Sequence, residues 1–250
     1  MPSYWRLVHK VIAEADVLLL LLDARLVDDT RNPEIEFKVK RDGKPLIYVI
    51  TKCDLISQRE AEQHKRKFRP CVFVSATEHH GFTMLRDRIL IEGKKLGRKE
   101  VKVGVLGYPN VGKSSLINAL KGKHSAPTSS VSGYTKALQK VRADSRIMLL
   151  DTPGVIPFRE KDNMKHSLTG SIDFDKTKDP ELVVMELMER CPGMIEKHFG
   201  VKPDEDLEIV IDAIARKMNM LKRGSLPDTQ RAACMILKEW QEGKIDYRGL

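Results

Sequence analysis

Residues 102–115 read Lys-Val-Gly-Val-Leu-Gly-Tyr-Pro-Asn-Val-Gly-Lys-Ser-Ser, and this stretch decides how the chain is expected to fold. Apolar residues at Val103 and Val105 alternate as they do in a buried strand. Gly107–Ser114 then matches the full pattern of a phosphate-binding loop, and a helical pattern continues from Ser115. Successive backbone N–H groups and a helix N-terminus in such a unit form a nest for phosphate oxygens. The stretch therefore predicts a nucleoside triphosphate site.

Two side chains of this loop have expected roles. Lys113 reaches the β- and γ-phosphates, and the Ser114 hydroxyl is a ligand for Mg²⁺. The loop residues expected to contact the nucleotide are Asn110, Val111, Gly112, Lys113, Ser114 and Ser115.

A second phosphate-facing turn follows a later apolar run, at Asp151-Thr152-Pro153-Gly154. Asp151 supplies a carboxylate for the Mg²⁺ shell, and the N–H of Gly154 can face the γ-phosphate. Thr135, at the end of a stretch rich in Ser, Thr, Gly and Lys (121–133), can close over the same ion. We therefore expect Lys113, Thr135 and Gly154 to act in catalysis.

Two turns earlier in the chain resemble the base-reading motifs of GTPases. In Thr51-Lys52-Cys53-Asp54-Leu55, the resemblance implies that Asp54 accepts from guanine N1–H and the exocyclic amine while the Lys52 stem covers the base. In Ser75-Ala76-Thr77, it implies a backbone N–H that contacts guanine O6. Taken singly, each turn is commonly a cap. Together with the phosphate-binding loop, they indicate a guanine nucleotide.

The order of these motifs is rotated relative to ordinary GTPases, because the base-reading turns precede the phosphate-binding loop. The chain thus resembles the circularly permuted GTPases of the YlqF/YawG type. A second point of resemblance to that group is the stretch Leu21-Leu22-Asp23-Ala24-Arg25. The resemblance implies GTP hydrolysis with Mg²⁺, a role in assembling the large ribosomal subunit, and a C-terminal helical domain that helps to contact ribosomal RNA.

Three positions bear on this resemblance. Thr51 stands where Asn is commoner, which predicts a slightly looser base-reading turn. Val155 stands where Ras has the Gln that orients the attacking water, so we expect slow intrinsic hydrolysis that a partner stimulates. Asn110 matches an Asn that, in similar GTPases, ligates a K⁺ ion in the position of an arginine finger. The resemblance therefore implies a catalytic role for Asn110 as well, although it can instead brace its own loop.

Strand and helix patterns alternate along the first part of the chain. Apolar runs at 17–24, 45–50 and 71–74 are separated by helical patterns, which predicts an α/β fold with a parallel, doubly wound sheet. We predict a permuted GTPase domain over residues 1–165, a linker over 166–180 and a small helical domain over 181–250. The last domain includes helices that begin at 181, at Asp204 and near Asp228.

The charge is distributed unevenly. Residues 1–178 contain 33 basic and 21 acidic residues, for a net charge of +12, whereas residues 179–250 carry a net charge of −3. A basic surface of this kind suits RNA or another polyanion. We expect the precursor of the large ribosomal subunit and its RNA as partners, and not DNA.

The four cysteines, Cys53, Cys71, Cys191 and Cys234, form no Cys-x-x-Cys pair, which is typical of reduced intracellular thiols. The apolar run 18–22 is much shorter than a membrane span, and no signal peptide precedes it. These features predict a cytoplasmic protein that does not span a membrane. Separately, we expect a monomer.

Two other functions remain open from the residues. One is a P-loop kinase or ATPase in which the Lys-x-Asp of residues 52–54 is accidental, and the other is a GTPase that signals through proteins alone. The permuted order also predicts a switch, because the segment after Gly154 runs directly into the helical domain. Loss of the γ-phosphate would then move that domain.

Overall fold

The computed structural model describes residues 3–121, 139–152, 154, 156–157, 160 and 162–248. The chain divides into two compact units, residues 1–161 and residues 162–250. Thr135 and Val155 lie outside the described residues, so the expectations for them stay predictions.

The first unit is built on one sheet. In the described part of the chain its strands are β1 Val17–Asp23, β2 Leu46–Thr51, β3 Cys71–Phe73, β4 Val101–Gly107, β5 Gln139–Arg142 and β6 Ile147–Asp151. Their order is β3-β2-β1-β4-β6-β5, and all neighbours except β5 and β6 pair in parallel. The predicted α/β doubly wound sheet is confirmed.

Strand β5 differs from the predicted parallel arrangement, because it pairs antiparallel with β6. Only a short turn joins the two strands, closed by a hydrogen bond of 3.0 Å from Ala143 N to the carbonyl oxygen of Ile147. A parallel pairing would need a crossover of a dozen or more residues, so this connection allows only a hairpin.

Helices cover both faces of this sheet. Those of the first unit are α1 Ser3–Glu14, α2 Val27–Thr30, α3 Pro33–Arg41, α4 Gln58–Lys67, α5 Phe82–Lys95 and α6 Lys113–Lys121. Because crossovers between parallel strands are right-handed, α3 and α4 share one face, and α5, which returns from β3 to β4, lies on the other. Arg86 of α5 donates to the carbonyl oxygen of Leu120 in α6 at 2.9 Å, which places these two helices side by side.

The central strands are buried on both faces, as their continuous apolar sequence requires. Val17, Leu19 and Leu21 belong to the core cluster that includes residues of α5 and α6. Leu18 alternates with these residues and lies on the opposite face of the sheet, beside α1. A Cβ on Gly104 would stand 2.7 Å from both the Leu18 side chain and Val11 of α1. The missing side chain of Gly104 therefore lets α1 pack closely on β4.

The second unit is helical in its described residues. Its helices are α7 Asn163–Leu168, α8 Pro180–Arg190, α9 Met194–Phe199, α10 Leu207–Lys217 and α11 Thr229–Gln241. The fully buried Trp240 donates from Nε1 to the carbonyl oxygen of Leu168 at 2.9 Å. Gln241 donates to the carbonyl oxygens of Ser167 and Ile172. These bonds join α11 to the beginning of the unit.

The structure differs from the predictions for this unit in three places. The predicted linker 166–180 contains the end of α7 and a segment whose backbone carbonyl oxygens accept hydrogen bonds from the buried Trp240 and the half-buried Gln241. Helix α9 was not predicted; six residues between two glycines are too short for a clear helical period. Helix α10 is capped by Asp206, whose carboxylate accepts from Glu208 N at 2.9 Å, and does not begin at Asp204.

The predicted start of α11 is accurate, since the Asp228 carboxylate accepts from Arg231 N at 3.2 Å as an N-cap. Within the residues that the structure describes, no helix is long and apolar enough to span a bilayer.

Candidate nucleotide site

The sequence-predicted turns lie at one edge of the sheet. Strands β2, β4 and β6 end at Thr51, Gly107 and Asp151, and because they run parallel their carboxyl ends meet at that edge. Ligands of open α/β sheets bind in this position. Direct contacts hold these turns next to one another.

The Lys113 ammonium lies inside the phosphate-binding loop. It donates to the carbonyl oxygens of Gly107, at 3.3 Å, and Tyr108. The residue is 7% exposed, and this burial lowers the pKa of Lys113 to about 8, although the charge of Asp151 opposes the shift. A buried ammonium that is only partly compensated favours an anion beside it. Lys113 is therefore placed to bind phosphate.

The backbone of the loop takes conformations that its residues permit. Gly112 has a φ of +92°, in the left-handed region that favours glycine, and Asn110 has a φ of 58°, which Asn tolerates better than most residues. Val111 is fully buried and anchors the loop in the core. Ser114 and Ser115 follow in the first turn of α6, whose N-terminus is directed at the loop.

Gly154 lies against the same loop. A Cβ on Gly154 would stand 2.6 Å from both Cα and N of Pro109, so only glycine fits. The buried Thr152 hydroxyl donates to the carbonyl oxygen of Val105 at 2.8 Å and holds the turn to β4. Asp151 is 5% exposed and close enough to Lys113 to shift its pKa. The structure thus brings Asp151, Gly154 and the phosphate-binding loop together.

Thr51 ties the first base-reading turn to the phosphate-binding loop. Its hydroxyl lies 2.7 Å from the carbonyl oxygen of Val111 and 3.0 Å from that of Leu22, and the residue is 4% exposed. Either carbonyl can accept the hydroxyl proton. The sequence predicts a looser turn at Thr51, whereas in the structure its two contacts fix the turn against the loop and β1.

The two base-reading turns contact each other through side chains. The Thr77 hydroxyl donates to the Asp54 carboxylate at 3.3 Å and lies 2.9 Å from the Ser75 hydroxyl. Ser75 is fully buried and also accepts from Glu78 N at 3.1 Å. Ala76 and Leu55 complete the two turns, and the Asp54 side chain stays half-buried between them.

A buried ionic cluster supports Lys52. The Asp23 carboxylate lies 2.7 Å from the Lys52 ammonium and accepts two hydrogen bonds from the Arg25 guanidinium, at 3.1 and 2.9 Å. Burial opposes the charge of Asp23, but Arg25 and Lys52 outweigh it and hold the pKa of Asp23 well below its usual range. Lys52 itself has a left-handed φ of 54°. The cluster therefore fixes the lysine whose stem was predicted to cover the base.

Sequence reasoning gave Asp23 and Arg25 no role beyond family resemblance. The signal available was an Asp that ends an apolar strand, followed two residues later by Arg. A second pair, Tyr108 and Glu160, was missed entirely. The buried Tyr108 hydroxyl donates to the Glu160 carboxylate at 2.8 Å, and burial together with this hydrogen bond raises the pKa of Tyr108 well above its usual range. The two residues are 52 positions apart, and no local pattern indicates their contact.

Comparison with known proteins agrees with this geometry. The chain is 42% identical over 247 residues to the GTP-binding protein MJ1464 of Methanocaldococcus jannaschii, covering 97% of this chain and 66% of that protein. It is 32% identical to nucleolar GTP-binding protein 2 of Saccharomyces cerevisiae, covering 97% of this chain and 52% of that protein. The chain thus spans between half and two thirds of the length of these relatives.

A solved structure shares the fold. The crystal structure of GNP-bound YlqF from T. maritima superposes with a TM-score of 0.67 at 22% sequence identity, covering 97% of this chain and 96% of that one.

Two family models match the chain. The model described as 50S ribosome-binding GTPase matches residues 102–219, and the model described as RsgA GTPase matches residues 8–160, more than half of the chain. In the structure the base-reading turns come from strands that precede the phosphate-binding loop in the chain, as the permuted order requires. The chain therefore belongs to the RsgA GTPase family, among the circularly permuted GTPases.

Proposed function

We propose that this chain binds GTP with Mg²⁺, hydrolyses it slowly, and uses the nucleotide as a switch in assembly of the large ribosomal subunit. The observation that carries the proposal is the contact between Thr51 and the Val111 carbonyl, which joins the base-reading and phosphate-binding turns into one site. An accidental Lys-x-Asp, as in a P-loop kinase or ATPase, would not explain this contact or the support of Lys52 by Asp23.

The residues present suit a magnesium ion. Mg²⁺ prefers oxygen ligands, and Ser114 and Asp151 offer a hydroxyl and a carboxylate beside the phosphate-binding loop. Bound there with GTP, Mg²⁺ would neutralise charge on the β- and γ-phosphates. The proposal keeps Thr135, outside the described residues, as a third ligand.

The chain's own groups supply charge stabilisation in this proposal. Lys113 binds the phosphates, and the Gly154 N–H contacts the γ-phosphate. Asn110 is the proposed ligand of a K⁺ ion. Val155 lacks a hydrogen-bonding side chain to hold the attacking water, so turnover without a partner is slow.

The names of the relatives support a ribosomal role. One family model is described as a 50S ribosome-binding GTPase, and several relatives are named nucleolar GTP-binding protein 2. The net charge of +12 on residues 1–178 suits ribosomal RNA. In this proposal the chain acts as a monomer in the cytoplasm, and the helical residues 162–250 respond to the state of Gly154.

Co-sedimentation with large ribosomal subunits tests the proposal. We expect binding with a non-hydrolysable GTP analogue to exceed binding with GDP or without nucleotide, and to fall steeply with salt as counterions are released. Asp54→Asn is the control, since a xanthosine analogue should restore its binding where the GTP analogue does not. Equal sedimentation in all nucleotide states would contradict the switch. Absence of binding at low salt would favour the alternative, a GTPase that signals through protein partners alone.

A further inference from the structure

Three helices lie side by side on one face of the first unit. Helix α1 packs on β4 through Gly104, and α3 and α4 follow on the same face. Burial lowers the pKa of His9 on α1, and so do the nearby charges of Lys38 and Arg41 on α3. Arg31, just before α3, stacks 5.7 Å from the ring centroid of Phe68, which ends α4. Helix α3 is therefore central, with α1 and α4 flanking it.

This three-helix face is strongly basic, and many of its cations are uncommitted. Five basic side chains of its helices form no ion pair with another described residue: Arg6, Lys38, Lys40, Arg59 and Arg66. Several of its carboxylates are already engaged. Glu14 pairs with Lys140, Glu36 with Arg31 and Glu62 with Lys65, and Glu60 caps α4. The remaining charge is predominantly positive.

The central helix also carries an exposed aromatic side chain. Phe37 is 68% exposed, more than any other large apolar side chain of the described residues. Its neighbours Ile35 and Val39 are fully buried, so the helix is anchored without it. Lys40 and Arg41 lie three and four residues later, on the same side of the helix as Phe37. An aromatic ring exposed among cations is how single-stranded nucleic acids are bound: bases stack on the ring while phosphates meet the cations.

We propose that the face formed by α1, α3 and α4 binds single-stranded RNA, with a base stacked on Phe37 and phosphates held by the cations around it. The choice of RNA as the occupant rests on the proposed ribosomal function, whereas the location rests on the charge and exposure of this face. A protein partner would favour paired opposite charges around Phe37, and the uncommitted cations favour a polyanion.

The test measures binding of a fluorescein-labelled polyuridylate 20-mer and of a 20-base-pair RNA duplex by fluorescence anisotropy, at several salt concentrations. Phe37→Ala should weaken binding of the single strand by about tenfold, and of the duplex much less, because duplex bases are not free to stack. Arg66→Glu should weaken both and make the salt dependence shallower.

The opposite face of the sheet provides matched controls. Met84→Ala removes another exposed apolar side chain, 54% exposed on α5, and Lys94→Glu reverses an exposed cation on the same helix. Both should bind RNA as the wild type does. Because Phe37 is exposed, Phe37→Ala should keep the wild-type melting temperature and GTP hydrolysis, which shows that the fold is intact.

Two results would overturn the proposal. In the first, Phe37→Ala binds the single strand as tightly as the wild type does. If that variant then loses only co-sedimentation with subunits, the face binds protein and not RNA. The other is an equal loss with Met84→Ala, which would make the effect unspecific. If Phe37→Ala weakens oligonucleotide binding while the wild type fails to sediment with subunits, this inference stands and the proposed function fails.

Discussion

The Thr51 hydroxyl lies 2.7 Å from the carbonyl oxygen of Val111, 60 positions later in the chain. Thr51 belongs to the first base-reading turn, and Val111 belongs to the phosphate-binding loop. The two motifs lie on separate parts of the sequence, and this bond fixes their relative position. A nucleotide contacts both turns at once, so it binds more tightly when the turns are already held at the right distance from each other.

Replacing Thr51 tests the value of this bond. Thr51→Val removes the hydroxyl with little change of volume, and we expect the free energy of unfolding to fall by about 1 kcal/mol and GDP to bind about fivefold more weakly. Thr51→Ser keeps the hydroxyl and should retain more of the affinity. Calorimetric titration with GDP and chemical denaturation measure both quantities. Equal GDP affinity in Thr51→Val and the wild type would show that the bond does not set the site.

Gly154→Ala tests the contact with Pro109. The added Cβ would stand 2.6 Å from backbone atoms, so the turn must move and its N–H leaves the γ-phosphate position. We expect GTP hydrolysis to slow by on the order of a hundredfold, as for the loss of one preorganised donor, while GDP affinity changes little. Gly97→Ala is the control, because Gly97 has open space around it, so any effect there comes only from the strain of alanine at its positive φ of 68°. A similar loss of hydrolysis in both variants would assign the effect to general strain.

The Asp23 cluster predicts a pH dependence of stability. The folded-state pKa of Asp23 is depressed, so its contribution is present above the unfolded pKa of about 4 and is lost as pH falls toward the lower folded value. Wild-type stability should therefore decrease from about pH 5 to pH 3 more steeply than that of Asp23→Asn. Asp87→Asn, at an exposed position on α5, controls for the lost charge. Parallel pH profiles for wild type and Asp23→Asn would contradict the assignment.

Asn110 predicts a dependence on potassium. We expect faster GTP hydrolysis in K⁺ than in Na⁺ at equal ionic strength, and further acceleration on the ribosomal particle. Asn110→Gly should remove the difference, because glycine keeps the left-handed φ of 58° but has no amide oxygen. Identical wild-type rates in the two salts would leave Asn110 a residue that braces its loop.

The sequence alone predicts the features that are decided by residues close together in the chain. The phosphate-binding loop and the turns after β2, β3 and β6 are short motifs at strand ends, and parallel strands bring such ends together. The helix cap at Asp228 is likewise decided within one turn of chain.

Contacts between distant residues could not be derived in the same way. The ion pair between Asp23 and Lys52 and the hydrogen bond between Tyr108 and Glu160 depend on how separate strands and loops pack, which no periodicity encodes. The antiparallel pairing of β5, by contrast, is readable from the sequence, because its connection to β6 is too short for a crossover.

Exchange of nucleotide preference by Asp54→Asn tests the central claim most directly. Asp54 belongs to the first base-reading turn and accepts a hydrogen bond of 3.3 Å from the Thr77 hydroxyl of the second. The wild type should bind GTP far more tightly than ATP or xanthosine triphosphate, by up to about 10⁴-fold, because a site that hydrogen-bonds its ligand rejects analogues strongly. In Asp54→Asn the acceptor pair for N1–H and the amine is lost, so xanthosine triphosphate should displace GTP as the preferred ligand. Equal affinity of the wild type for ATP and GTP, or an unchanged preference for GTP in Asp54→Asn, would contradict the account.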